Sequence, residues 1–93
     1  MTIEQRIYSG HKASEILESE VFQEAFSAIE KEVLEQWINS PARDAEGRER
    51  LHSYLMLLRK VKANLVTTLE TGKLAQLDLD HKRSWLERAK DAF

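Results

Sequence analysis

From Gly10 to Asn39 the apolar residues Ala13, Ile16, Leu17, Phe22, Ala25, Phe26, Ile29, Val33, Trp37 and Ile38 recur at spacings of three and four. That spacing is one face of a helix. The run Glu18-Ser19-Glu20 interrupts it, and Ser19 suits the cap of a new start, with Glu20 and Glu24 near the positive end of the helix dipole. The pattern therefore predicts a short helix to Glu18 and a main helix from Glu20, with one continuous helix over 10–39 as the alternative. Residues 1–9 show no clear period and read as a loose arm.

A loop is expected over 40–44. Pro41 lacks an N–H and drives Ser40 out of the helical region, so the helix must stop before it. Asp44 is the natural cap of the next helix. That second long helix is predicted over 45–71. Leu51, Leu58 and Leu65 are seven apart, Tyr54, Val61 and Thr68 fill the other half of the heptad, and Leu55 and Leu69 widen the stripe. Such spacing suits a packed antiparallel pair. Gly72 falls where a left-handed cap would end the helix. Beyond it, 74–80 reads as extended or as one turn. Ser84-Trp85-Leu86-Glu87 matches a capping box and predicts a short amphipathic helix over 83–92.

The predicted fold is thus all-α: a long antiparallel helical hairpin with short flanking N- and C-terminal helices, in one domain spanning 1–93. Composition agrees. One proline and three glycines in 93 residues leave few breakers, and good helix formers dominate. A compact domain of this size buries roughly 60–65% of the surface of its unfolded chain, enough to fold alone with little to spare.

Charge refines the arrangement. Residues 1–39 carry 3 basic and 8 acidic side chains, 40–73 carry 7 and 4, and 74–93 carry 4 of each, within a net charge of −2. The first two segments are complementary, which favours their pairing. The absence of cysteine excludes disulfides and thiolate metal sites. No stretch approaches 18 consecutive apolar residues, and Met1–Gly10 has no apolar run, so neither a membrane span nor a signal peptide is expected.

Tyr54-Leu55-Met56-Leu57-Leu58 is apolar on every side of a helix, which calls for neighbours on more than one side. Met56 and Leu57 should therefore meet a third element or another chain. Trp85 and Phe93, with Leu86, are aromatic and apolar anchors near the end of the sequence. They either bind a partner's groove or fold back over Met56 and Leu57. These five residues, Met56, Leu57, Trp85, Leu86 and Phe93, form the expected partner or oligomer interface. Arg59, Lys60 and Lys62, with Lys82 and Arg83, are the candidate phosphate contacts for nucleic acid. The near-neutral total and the acidic first helix weigh against them.

Chemistry is sparse. Glycine-rich phosphate loops and nucleophile elbows are absent. Asp78-Leu79-Asp80-His81 looks superficially like a divalent site but reads as a solvated linker. Glu49-Arg50-Leu51-His52 is a single Glu-x-x-His, where carboxylate di-iron sites need two. No catalytic residue, metal or cofactor is predicted, and no small-molecule substrate.

Residues 13–75, most specifically Glu46-Gly47-Arg48-Glu49 and Thr71-Gly72-Lys73-Leu74-Ala75, resemble a group of small helical proteins of tailed bacteriophages and prophages, encoded near DNA-packaging and head genes. The resemblance implies a non-catalytic accessory or structural part in virion assembly or packaging, in the cytoplasm of a bacterial host or within the virion. Small terminase subunits also oligomerise through antiparallel helical pairs, but this chain lacks a helix-turn-helix before its hairpin. A host-directed inhibitor acting by protein contact is the other expectation.

Overall fold

The structure, a computed structural model, describes residues 1–92. Among them there are three helices and no strands: α1 (Ile3–Glu18), α2 (Glu20–Asn39) and α3 (Ala45–Ala92). The protein is all-α. Its described residues divide into two compact units, one built from Met1–Glu15 together with the chain from Leu65 on, the other from Ile16–Asn64.

The second unit is set by four polar side chains. Ser19 leaves the helical region, with φ −65° and ψ 124°, and its hydroxyl accepts from the Phe22 N–H at 3.3 Å. The Gln23 side chain reaches back 2.8 Å to the Leu17 carbonyl, so both helix ends at the break are served. At the other end of α2, the Ser40 N–H and hydroxyl both donate to the Trp37 carbonyl, at 3.2 and 2.6 Å. The Asp44 carboxylate then accepts from the Gly47 N–H at 3.1 Å and starts α3.

Contacts along this unit run in order. Arg48 donates to Ser40 and lies 4.6 Å above the Trp37 ring, Arg59 pairs with Glu30 at 3.3 Å, and Lys62 lies 5.1 Å above the Phe26 ring. Phe26 is the buried apolar residue here, with Phe22 packed against it at 5.9 Å between ring centroids.

The first unit corrects three expectations. Residues 1–9 are not a loose arm, because α1 begins at Ile3. Thr2 and Gln5 close a reciprocal cap: the Gln5 N–H donates to the Thr2 hydroxyl at 3.1 Å and the Thr2 N–H donates to the Gln5 side chain at 2.9 Å. The second long helix does not end at Thr71. It continues through 72–80, where an extended stretch or single turn was expected, and through 83–92, so no separate C-terminal helix starts at Ser84. After Pro41 the sequence holds no proline, and one glycine in a helix costs only about 1 kcal/mol.

Gly72 is therefore a contact rather than a cap. It is buried in α3 and does not take a positive φ. It meets Gly10 of α1 backbone to backbone. A Cβ on Gly72 would stand 2.8 Å from Gly10 Cα and 2.9 Å from the Arg6 carbonyl oxygen. One on Gly10 would stand 2.8 Å from Gly72 Cα. Only glycine allows so close an approach. Ala13 and Ala75 are the buried apolar residues of this unit, so its seam is made of small side chains.

Candidate functional site

The second unit carries an apolar concavity of about 290 Å³. α2 contributes Val33 and Leu34, each one turn from its third residue there, Trp37. α3 contributes Leu51, His52, Leu55, Met56 and Arg59 at the same periodicity. Two of the cationic groups at its edge are already engaged. The Arg59 guanidinium is held by Glu30, and Arg48 stacks on the Trp37 ring while donating to Ser40. What remains open is hydrocarbon, indole and thioether, with the His52 imidazole among them.

Met56 lines this concavity, 41% exposed. Leu57 does not line it and is 63% exposed. Adjacent helical residues lie about 100° apart, so the two expected interface residues point in different directions. Leu57 instead joins Tyr54 and Val61, both exposed, at helical spacing. No third element covers Met56 or Leu57 among the described residues. In the first unit Trp85 is 65% and Leu86 56% exposed, and with His81 and Lys82 they line a shallow depression. Trp85 is thus not packed into a core, and Phe93 lies outside the described residues.

The candidate phosphate contacts divide. Arg59 is paired with Glu30, Lys62 sits over Phe26, and Lys82 is 3.3 Å from Asp78. Lys60 and Arg83 are exposed. The Asp78–His81 run lies inside α3 rather than in a linker, and Asp80 accepts from the Gln76 side chain at 3.0 Å. Of Glu49 and His52, only His52 reaches the concavity. No group of three or more His, Asp or Glu able to hold a metal ion occurs among the described residues. Nor is any helix of theirs long and apolar enough to cross a membrane.

Sequence reasoning missed the grouping of Leu34 and Trp37 with Met56. The signal was present: Val33 and Leu34 each lie one turn from Trp37, and Leu51 and Leu55 lie one turn apart on α3. The chain matches no family model, no curated protein and no solved structure.

Proposed function

We propose that this chain is a non-catalytic interaction protein that presents an apolar helical surface to a protein partner. The observation that carries the reading is the concavity around Leu34, Trp37, Leu55 and Met56, whose rim arginines Arg48 and Arg59 are engaged within the chain while its apolar walls stay open. Contiguous exposed apolar surface of this kind, rimmed by charge, marks binding sites on soluble proteins.

The presenting element in this reading is an antiparallel hairpin of α2 and the first part of α3. It is supported by the order of the contacts: Trp37 with Arg48, Glu30 with Arg59, Phe26 with Lys62. The resemblance of Glu46–Glu49 and Thr71–Ala75 to phage proteins supports assigning the contact to virion assembly or DNA packaging in a bacterial host. Nucleic-acid binding is the weaker reading, because Arg59, Lys62 and Lys82 already have partners inside the chain.

An apolar dye whose fluorescence rises on binding tests the surface. In solution dilute enough to keep it monomeric, the intact protein should enhance it, and Met56→Asp should remove most of the enhancement while circular dichroism stays helical. Equal enhancement by both would end the reading. Duplex DNA binding at about 50 mM salt that falls steeply as salt rises would favour the nucleic-acid alternative instead.

A further inference from the structure

We infer that the occupant of the α2–α3 concavity is a second copy of this chain, in a two-fold dimer that sets the α2 of each protomer against the α3 of the other. The inference rests on the contact-surface reading above and adds the partner's identity.

Two observations carry it. The first is exposure. Within the unit of Ile16–Asn64, Phe26 is the buried apolar residue, while Ile29, Trp37, Tyr54, Met56, Leu57 and Val61 are each 41% exposed or more. No side chain is fully buried among the described residues, and the buried apolar residues are only Ala13, Phe26 and Ala75. A surface this open is that of a core waiting for its other half.

The second is charge. With the Glu30–Arg59 pair set aside, α2 carries four glutamates against Lys31, a net of −3. Residues 45–64 of α3 then carry Arg48, Arg50, Lys60 and Lys62 against Glu46 and Glu49, a net of +2. Both helices border the same concavity. A two-fold axis through it places each acidic helix opposite a basic one, so like charges never face each other. A self-complementary patch is what such symmetry requires, and four helices around one apolar seam form an ordinary bundle. A partner of single charge sign would satisfy only one of the two helices.

Size-exclusion chromatography with light scattering, at roughly 100 µM chain, reads the result. The intact protein should have twice the mass of one chain. Met56→Asp should have the mass of one chain with its helicity retained, since Met56 is a surface residue. Leu57→Asp should stay dimeric, because Leu57 lies off the concavity. Lys60→Glu should weaken the dimer by roughly two- to fivefold, less so in high salt. A monomeric intact protein, a dimer indifferent to Met56→Asp, or one tightened by Lys60→Glu would each overturn the inference. If the protein is monomeric yet binds the apolar dye through Met56, only the second copy is refuted and the contact surface stands. A monomer that leaves the dye dark refutes both.

Discussion

Replacing Gly72 by alanine sets two effects of known sign against each other. In an open helix the change stabilises by about 1 kcal/mol, because alanine loses less backbone freedom on folding than glycine. Here the new methyl would stand 2.8 Å from Gly10 Cα and 2.9 Å from the Arg6 carbonyl oxygen. Both are backbone atoms, so no side chain can swing away. α1 must move as a body, and its small-residue seam with α3 opens. Overpacking of this kind costs about 1–3 kcal/mol, with the backbone clash on both sides arguing for the upper part of that range. The net expectation is a loss of about 1–2 kcal/mol. Urea unfolding followed by circular dichroism measures it, and amide exchange locates it: the α1 amides should exchange faster while those of α2 are unchanged. Thr71→Ala, on the exposed side of the same turn, is the control and should stabilise by about 0.5 kcal/mol, since alanine is the better helix former. Adding Gly10→Ala to Gly72→Ala should cost less than the sum of the two, since the first change already separates the helices. If Gly72→Ala instead stabilises the protein by about 1 kcal/mol, the glycine contact is not a constraint and the reasoning fails.

Other outcomes follow from the caps and ion pairs. Ser19→Ala removes the hydroxyl that accepts from the Phe22 N–H and should cost about 1 kcal/mol, read as a lower urea midpoint; no change would mean the break is held by Gln23 alone. A double-mutant cycle on Glu30 and Arg59 should return a coupling below about 1 kcal/mol, because the Arg59 side chain is half exposed; a much larger value would show that the pair is dry, as burial under a partner would make it.

The all-α class was legible because long stretches repeat apolar residues at three and four with few breakers. Ser19 and Pro41 show why the α2 boundaries were visible: each acts through local chemistry written in its own tripeptide. α1 was harder. Its cap, Thr2 with Gln5, is a plain sequence signature, but the helix behind it packs through Gly10 and Ala13, which leave little trace in a hydropathy pattern. Gly72 was misread for a related reason. A glycine at the end of a leucine stripe looks the same whether it caps a helix or touches another backbone, and the deciding residue, Gly10, is about sixty positions away. The concavity fell between these cases. Met56 stood out because Tyr54–Leu58 is apolar all round, but its neighbours Leu34 and Trp37 come from a segment whose link to it is tertiary.

The division of the chain also sets an order of assembly. The unit of Ile16–Asn64 closes over short spans, eight residues from Ser40 to Arg48 and twenty-nine from Glu30 to Arg59. The unit containing Gly10 and Gly72 must close a loop of about sixty residues, an entropic cost larger by roughly 2 kcal/mol than that of the shortest of these spans. On a ribosome the unit of Ile16–Asn64 is complete before the strip from Leu65 on emerges, so α1 is synthesised ahead of that unit and docks after it. From its own synthesis until that strip emerges, α1 is therefore without the surface it is shaped to meet.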